Sequence, residues 1–301
     1  MDFRQIEAFA QVVKLKSFSK AADAVYLTQP TISAHISSLE NELEIKLIDR
    51  SSKDVVPTKA GKLFYDYAIN MINIRDNAIF KLNEYSEKMA GKIEICSSTV
   101  PCQYIMPELI KGFIGNYPNV TFSLDQMDTR MVTEKILQKE SELGFVGSMT
   151  ENDKLSYHHF MDDKLVLITP NNKKYSSIDS DTIDFKVISE ENFVLREAGS
   201  GTRQEFEKAF KKAGFNPKSL KVAALMNSTE AVKQAVSLGM GVSIVSAISV
   251  EDYVKFGLIK AYNLDGVSLA RAFYLVHHKS VPLSPLSITF LNYALEQRKD
   301  S

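Results

Sequence analysis

The segment from Ser17 to Arg50 has the pattern of two short helices joined by a tight polar turn and followed by a hairpin. Ser17 suits the N-cap of the first helix and Thr28 that of the second, whose first turn holds Pro30, where a missing N–H has no partner to lose. Apolar residues then recur at steps of three and four and form one stripe, made of Ile32, Ile36, Leu39 and Leu43. This pattern predicts a helix-turn-helix, which constrains the fold more than any other feature of the chain.

The opposite face of the second helix is small and polar near its start, which suits a helix that enters a DNA major groove. Its first N–H groups can also bind a phosphate. We therefore predict a surface for double-stranded DNA that includes two basic residues of the hairpin after the second helix, called the wing below. Its residues are Thr28, Gln29, Pro30, Thr31, Ser33, Ala34, Ser37, Arg50 and Lys53. The two basic residues can also be read as ordinary surface charges on a hairpin.

A long helix is predicted after the wing, because residues 58–89 contain one glycine and no proline. Apolar residues recur along it at helical spacing and form a seam, made of Phe64, Tyr67, Met71, Ile74, Ala78, Leu82, Tyr85 and Met89. A small head domain cannot cover so long a seam, so the pattern favours a partner helix and a dimer. The alternative is a helix packed against a second domain of its own chain.

From Lys92 onward the pattern alternates short apolar runs with helical segments, which indicates α/β layers with mainly parallel sheets. The predicted strands are Ile93–Cys96, Val120–Leu124, Leu143–Val146, Leu165–Thr169, Phe193–Arg196 and Val242–Val245. A helix is predicted over Tyr104–Ile114. A stretch of this length favours two lobes rather than one.

Three polar turns lie where predicted strands end and helices begin, which is where ligands bind in such sheets. They are Ser97–Thr99, Arg196–Arg203 and Asn227–Thr229. In the second turn, Thr202 and Glu205 match a capping box, and two glycines allow close approach of backbone N–H groups. Together the turns predict a site for a small anion or carboxylate, although each one alone is also explained as an ordinary helix cap.

The chain resembles the LysR-type transcriptional regulators over its whole length. The resemblance rests on MDFRQIEAFAQVV, on SFSKAADAVYLTQPTISAHISSLENELEIKLIDR, on VVPTKAGKLFY, and downstream on LGFVG, REAGSGTR and LGMGVSIVS. It implies an N-terminal winged helix-turn-helix (1–58), a dimerising linker helix (59–90) and a two-lobed effector domain like that of periplasmic binding proteins (91–301). The implied lobes are residues 91–163 with 266–301, and residues 164–265. Many members have a basic residue where this chain has Ala34, so their base contact does not carry over.

The resemblance also implies that the polar turns form an effector cleft between the lobes. The predicted effector-binding residues are Ser97, Ser98, Thr99, Pro101, Cys102, Gln126, Thr129, Gly147, Arg196, Gly199, Ser200, Gly201, Thr202, Asn227 and Ser228. Asp128 is a further candidate. REAGSGTR together with the SSTVP turn is also similar to regulators of sulfur, cysteine or selenium metabolism. A sulfur oxyanion or a serine-derived acyl amino acid is then a plausible effector.

Composition restricts the other classes of protein. The net charge of the 301 residues is −1, and eight basic residues cancel eight acidic ones in residues 1–60, so DNA binding must come from local placement. No run is apolar enough to span a membrane and no charged-then-apolar signal stretch opens the chain, so we expect a cytoplasmic protein. The two cysteines exclude a disulfide framework. No nucleophile, acid–base pair or metal set has a plausible spacing, so we expect no enzyme, no cofactor and no metal.

Two smaller features leave alternatives open. Cys102 follows the first polar turn close to a helix start, which would lower the pKa of its thiol and suit redox or sulfur sensing. Cys96 and Cys102 can equally be a buried strand residue and a tolerated neighbour. The pairs His158–His159 and His277–His278 lie on strands, where adjacent side chains point to opposite faces, so neither pair presents two metal ligands together.

The sequence therefore predicts a regulator that binds promoter DNA as a dimer, with tetramers common in the family, and that responds to a small anionic metabolite. RNA polymerase is a further partner if the protein activates transcription. The competing interpretation is a cytoplasmic small-molecule binding protein with the two-lobed fold and no regulatory output.

Overall fold

The computed structural model describes residues 1–49, 55–84 and 90–298. The chain divides into two compact units: residues 1–89 with 278–288, and residues 90–277 with 289–301. Within the described residues, no helix is both long enough and apolar enough to cross a membrane.

The first unit is a winged helix-turn-helix followed by a long helix. Its elements are α1 (Phe3–Leu15), α2 (Phe18–Ala24), α3 (Gln29–Glu42), the antiparallel pair β1 (Ile48–Asp49) and β2 (Val56–Pro57), and α4 (Lys59–Glu84). The side chains of Ser17 and Thr28 cap α2 and α3 by accepting hydrogen bonds from the N–H groups of Lys20 and Thr31, as predicted.

The predicted apolar stripe of α3 forms the centre of this unit. Ile32, Ile36 and Leu39 are fully buried and pack with Phe9 of α1. Burying a side chain of this size contributes about 1.5–3 kcal/mol. The prediction was wrong for Leu43, which is the C-cap of α3 and is 36% exposed because the helix ends there and the chain turns away.

Glu40 joins α3 to the first strand of the wing. Its buried carboxylate accepts hydrogen bonds from the backbone N–H groups of Leu47 (2.8 Å) and Ile48 (3.0 Å) and from Lys46 Nζ (3.1 Å). Burial alone would raise the pKa of this carboxyl, but these hydrogen bonds outweigh it and the pKa is lowered. The ionised carboxylate therefore fixes the position of the backbone at the start of β1, the first strand of the wing.

The apolar seam of α4 is partly buried within its own chain and partly exposed. Phe64 and Met71 pack against the core of the first unit, so part of the seam is covered within its own chain. Tyr67, Ile74 and Leu82 remain 60%, 67% and 70% exposed. The predicted seam residues Tyr85 and Met89, and the end of the predicted helix, lie outside the described residues.

The second unit is an α/β structure, and its strands and helices alternate along most of the chain. The strands are β3 (Ala90–Ser98), β4 (Asn119–Met127), β5 (Leu143–Val146), β6 (Leu155–Pro170), β7 (Thr182–Ile183), β8 (Asn192–Arg196), β9 (Lys221–Met226), β10 (Ser243–Ser246), β11 (Ile259–Leu264) and β12 (Ala270–His278). The helices are α5 (Met106–Asn116), α6 (Thr129–Leu137), α7 (Lys173–Ser176), α8 (Phe185–Ile188), α9 (Gly201–Lys212), α10 (Thr229–Ser237), α11 (Glu251–Lys255) and α12 (Pro285–Glu296). A π-helical turn (Pro101–Ile105) precedes α5, and 3₁₀ turns cover Pro217–Ser219 and Ala247–Ser249.

Strand β6 belongs to both lobes of this unit. The strand order is β4-β3-β5-β12-β6-β11-β7, β10 also pairs with β6, and β8 pairs with β9. One lobe is built on β3, β4, β5 and β12, and the other on β7 to β11. With 16 residues, β6 is long enough to cross from one lobe to the other.

The sheets are mixed, so the expectation of mainly parallel sheets holds only in part. β3 runs parallel to β4 and β5, β8 to β9, and β11 to β7. β10 and β11 are antiparallel to β6, and β12 is antiparallel to β5. Alternating strands and helices predict parallel pairs, but strands at the crossing between lobes run against their neighbours.

We predict that Glu40→Gln lowers the free energy of unfolding of the first unit by about 1–3 kcal/mol, since it weakens a buried acceptor of two backbone N–H groups. Because the pKa of Glu40 is lowered in the folded state, this contribution is present above the unfolded-state pKa of about 4.3 and is lost as the pH falls through the folded-state value. Urea unfolding at pH 7 and at pH 3.5 measures both effects. Asp23→Asn, on the exposed end of α2, is the matched control. Equal losses in the two variants would contradict the role of Glu40.

Candidate functional site

The N-terminal end of α3 is open to solvent. Thr28, Gln29, Pro30 and Ala34 are exposed, and Thr31, Ser33 and Ser37 are partly exposed. The side chain of Gln29 is held by a hydrogen bond from Ser19 Oγ (3.0 Å). Arg50 and Lys53 lie outside the described residues, so the wing part of the predicted DNA surface stays a prediction.

Tyr26 lies in the turn between α2 and α3 and was missed by the sequence reasoning. Its side chain is 96% exposed, and its backbone has φ +56°, a left-handed conformation that is strained for a bulky residue. Glycine or asparagine would suit this position better. A large exposed ring at a strained position directly before the exposed helix start is a functional candidate.

In the second unit, residues of the first two predicted polar turns line a cleft between the two lobes. Its lining includes nine of the predicted effector-binding residues, which are Ser98, Thr99, Pro101, Thr129, Gly147, Arg196, Ser200, Gly201 and Thr202. Asp128, the further candidate, also lines it, as do Val100, Arg271 and Phe273, which were not predicted. The cavity volume is about 10 Å³, which is enough space for about one water molecule.

Arg196 lies at the end of β8 and is 4% exposed. Its guanidinium donates to Thr229 Oγ1 (2.7 Å) and Glu197 Oε1 (2.8 Å) on its own lobe. It also donates to Thr99 Oγ1 (3.1 Å) on the other lobe. This hydrogen bond ties the first polar turn to the second.

Arg271 of β12 makes a second connection between the lobes. Its Nε donates to Asp163 Oδ2 (2.6 Å), and the side chains of this pair are 2% and 4% exposed. Its Nη1 donates to Thr202 Oγ1 (3.0 Å) in the opposite lobe. Burial lowers the pKa of the Arg271 guanidinium and Asp163 opposes this, while an arginine stays charged in proteins.

Two buried polar atoms of the cleft lack a hydrogen-bond partner among the described residues: Arg271 Nη2 and Thr129 Oγ1. Counted over the whole residue, Thr129 is 1% exposed and Arg271 is 8% exposed. Native structures leave few such atoms unpaired, so each one calls for an explanation. A bound ligand oxygen that accepts from both supplies one.

Helix N-termini add further donors. α6 begins at Thr129 with the Asp128 side chain as its cap, and α9 begins at Gly201 with Ser200 as its cap. The predicted capping box of Thr202 and Glu205 was wrong, because the helix starts earlier and these side chains contact Arg271 and Lys208 instead. The first residues of both helices therefore line the cleft, and the N–H of Arg130 donates to the carbonyl of Gly199 (3.4 Å) in the opposite lobe.

Glycines keep this wall close to the backbone of the opposite lobe. A Cβ at Gly201 would lie 2.6 Å from Thr129 Oγ1, and one at Gly147 would lie 3.0 Å from Arg271 Nη1. A Cβ at Gly199 would lie 2.2 Å from Asp128 Oδ2. A side chain at Gly199 or Gly201 would therefore displace Asp128 or Thr129 from its present position.

Six predicted effector-binding residues do not line the cleft. Ser97 is buried and donates to backbone carbonyls, and Gln126 accepts from Gln103. Gly199 packs on Asp128, Asn227 offers its carbonyl to Arg196, and Ser228 caps α10. Cys102 lies in the π-helical turn, outside the lining. Ser97 and Gln126 lie within strands β3 and β4, and the sequence pattern did not show which side chains face the cleft.

The expectation of a lowered thiol pKa at Cys102 was wrong. Burial and the nearby Asp125 raise the pKa of Cys102, and burial raises that of Cys96. The thiol of Cys96 donates to the carbonyl of Leu143 (3.4 Å), as expected for a buried strand residue. Both cysteines are therefore neutral thiols at pH 7.

The histidine pairs meet across strands rather than within them. Nε2 of His158 lies 3.0 Å from Nε2 of His277, because β6 and β12 are neighbours. Among the described residues there is no group of three or more metal-ligating side chains. The two imidazoles form a hydrogen-bonded, stacked pair.

Comparison with known proteins relates both units to one family. Residues 3–62 match the model described as "Bacterial regulatory helix-turn-helix protein, lysR family", and residues 86–299 match the "LysR substrate binding domain". An uncharacterized HTH-type transcriptional regulator of Methanocaldococcus jannaschii is 33% identical over 282 residues, which cover 94% of each protein.

Two solved structures have the same fold. Full-length OxyR from Pseudomonas aeruginosa superposes with a TM-score of 0.75 at 18% identity, covering 99% of this chain and 96% of that one. The regulatory domain of Synechocystis PCC6803 CcmR in complex with 2-PG has a TM-score of 0.63 at 26% identity, covering 70% of this chain and 98% of that one.

We predict slow alkylation of both cysteines, because the thiolate is the reactive form and raised pKa values deplete it. With iodoacetamide at pH 7–8, each should react more slowly than free cysteine, and the rates should rise as the pH increases. Comparing the natural chain with Cys102→Ser separates the two sites. A Cys102 that reacts faster than free cysteine at pH 7 would restore the sensing hypothesis.

Proposed function

This chain belongs to the LysR family of DNA-binding transcriptional regulators, and we propose that its effector is a compact anion held between the lobes by Arg271, Thr129 and Arg196. The observation that carries the proposal is the pair of buried, unpartnered donors Arg271 Nη2 and Thr129 Oγ1 within the described cleft. Hydrogen bonds from a cation to an oxyanion are among the strongest in proteins.

Charges around the cleft decide where the anion lies. Arg271 and Arg196 are partly neutralised by Asp163 and Glu197, so the remaining attraction comes from the unpaired Nη2 and the N-termini of α6 and α9. Asp128 would repel an anion, but its carboxylate is engaged with the N–H of Met131 (2.8 Å). The negative oxygens of the effector are therefore directed to the Arg271 side of the cleft.

The donors that face each other across the cleft favour a compact effector. The CcmR regulatory domain was solved in complex with 2-PG. Small phosphorylated carboxylates such as 2-phosphoglycolate and 2-phosphoglycerate have oxygens at two ends, which suits donors on two lobes. The sulfur oxyanions and acyl serines expected from the sequence have related chemistry, and the same assay tests them.

The proposed assembly follows from α4. Tyr67, Ile74 and Leu82 present an exposed apolar surface on one helix, and a partner helix would bury it in a homodimer. Two recognition helices would then read two half-sites of a promoter, as in helix-turn-helix dimers. We propose a cytoplasmic regulator, with pairing of dimers into tetramers and contact with RNA polymerase as further steps of activation.

The proposed domain limits are 1–58 for DNA binding, 59–90 for the linker helix and 91–301 for effector binding. Residues 91–163 with 266–301 would form one lobe, and 164–265 the other. The continuous strand β6 and the hydrogen bond from Leu165 N to Leu269 O (2.9 Å) support a crossing near these positions.

We expect Thr129→Val to reduce anion binding without loss of stability, because it removes a hydroxyl that is buried and unpaired in the described structure. An anion at 100 times its dissociation constant adds about 2.7 kcal/mol to the unfolding free energy. Thermal unfolding is measured with 2-phosphoglycolate, 2-phosphoglycerate, sulfate, thiosulfate, selenate, O-acetylserine and N-acetylserine.

The matched control is Thr133→Val on the same helix, whose hydroxyl donates to backbone carbonyls and does not line the cleft. A selective shift that survives in Thr133→Val and disappears in Thr129→Val supports the proposal. An equal shift in both variants, or none with any anion in the natural chain, would contradict it.

Tyr26 is proposed to contact a DNA phosphate beside the start of α3. Tyr26→Asn should weaken binding to a duplex about 10- to 100-fold, since a hydrogen bond to a charged group contributes about 1.5–3 kcal/mol. It should also leave the thermal stability equal or higher, because asparagine tolerates the left-handed backbone. Fluorescence anisotropy with a labelled duplex at low salt measures affinity. Tyr26→Phe tests the hydroxyl alone, and unchanged affinity in Tyr26→Asn would remove Tyr26 from the DNA surface.

A further inference from the structure

A second cavity lies in the effector-binding unit, lined by residues other than those of the anion cleft. Its volume is about 400 Å³, within the range of about 300–1,000 Å³ that is typical of small-molecule sites. Its walls come from the π-helical turn and α5, from β6, from the 3₁₀ turn Ala247–Ser249 and from α12. Both lobes therefore contribute to it.

The interior of this cavity is apolar and its polar residues are exposed. Ile105, Leu109 and Phe160 are 6%, 6% and 4% exposed, and the rings of Tyr104 and Tyr293 complete an aromatic lining. Glu108, Lys111 and Gln297 are exposed lining residues that place charged and amide groups next to solvent. This arrangement suits a ligand with a flat apolar body and one polar end.

Two glycines on α5 keep one wall of the cavity open. A Cβ at Gly112 would lie 2.1 Å from the Tyr293 hydroxyl, whereas one at Gly115 would meet nothing within 4 Å. Each glycine inside a helix costs about 0.5–1 kcal/mol relative to alanine. A larger residue at Gly115 could occupy the empty space without a clash at its Cβ.

Tyr104 connects this cavity to the interaction of the two lobes. Its hydroxyl donates to the Glu230 carboxylate and accepts from Lys233 Nζ (2.9 Å), both on α10 of the opposite lobe. Lys233 is 3% exposed and also donates to the carbonyl of Ser249 (2.7 Å). A molecule in the cavity would contact the Tyr104 ring. It could therefore change the hydrogen bonds that Tyr104 makes with Glu230 and Lys233 of the opposite lobe.

We propose that this cavity is a second ligand site, which binds a small aromatic molecule with one polar end group. Its apolar aromatic walls and exposed polar residues differ from the anion cleft, where two buried arginines and two helix N-termini select negative charge. The site is independent of the proposed anion effector, so either can exist without the other.

The test uses 8-anilinonaphthalene-1-sulfonate, a fluorescent aromatic probe with one sulfonate, titrated into the full chain. We expect one saturable site per chain in the natural protein and in Asn116→Trp, the adjacent exposed position that does not line the cavity. Gly115→Trp should bind the probe at least tenfold more weakly, because the indole would fill the cavity. Gln297→Trp, at another exposed lining position, is the second blocking variant.

Two outcomes of the titration would overturn the proposed second site. Equal binding in Gly115→Trp, Gln297→Trp and Asn116→Trp would place the probe elsewhere, such as on the exposed seam of α4, and would overturn the proposal. Absence of saturable binding to the natural chain would do the same. Light scattering accompanies the titration, and loss of oligomers in the two blocking variants only would show instead that the cavity is covered by a second copy.

Discussion

The buried ion pair between Asp163 and Arg271 is the interaction on which the effector-binding unit depends. Asp163 lies on β6 where this strand passes between the lobes, and Arg271 lies on the neighbouring β12. Asp163 also accepts from Ser246 Oγ (2.7 Å), so the pair connects three strands. Removing one partner of such a pair costs about 3–5 kcal/mol, because it leaves an uncompensated buried charge. The same pair orients Arg271 so that Nη1 contacts Thr202 and Nη2 is left for a ligand.

The geometry of the cleft has a consequence for regulation. A cavity of about 10 Å³ cannot admit a metabolite while the lobes keep this arrangement, so binding requires them to separate and re-form around the ligand. The hydrogen bonds of Arg196 to Thr99 and of Arg271 to Thr202 would change during that motion. An effector that prefers one arrangement by about 1–3 kcal/mol changes the populations about 5- to 150-fold. This free energy is what the family architecture can pass to its DNA-binding helices.

Local signals in the sequence predicted local structure well. Ser17 and Thr28 cap their helices because capping depends on neighbours within four residues, and Ile32, Ile36 and Leu39 are buried because helical spacing fixes their common face. The sequence also placed polar residues where strands give way to helices, but β3 extends through Ser97 and Ser98, which were predicted as a turn. Arg271 was missed because its position depends on the pairing of β12 with β6, more than a hundred residues earlier in the chain. Tyr26 was missed because a left-handed backbone at a tyrosine has no sequence signal.

The central claim is that an anion bridges the lobes at Arg271 and Thr129, and a crystal structure of the full chain with a bound anion tests it most directly. 2-Phosphoglycolate, or whichever anion gives the largest thermal shift, is the ligand for crystallisation. The account predicts anion oxygens within hydrogen-bond distance of Arg271 Nη2 and Thr129 Oγ1, with the Asp163–Arg271 pair intact. An anion bound elsewhere, with both atoms still unpaired, would contradict it.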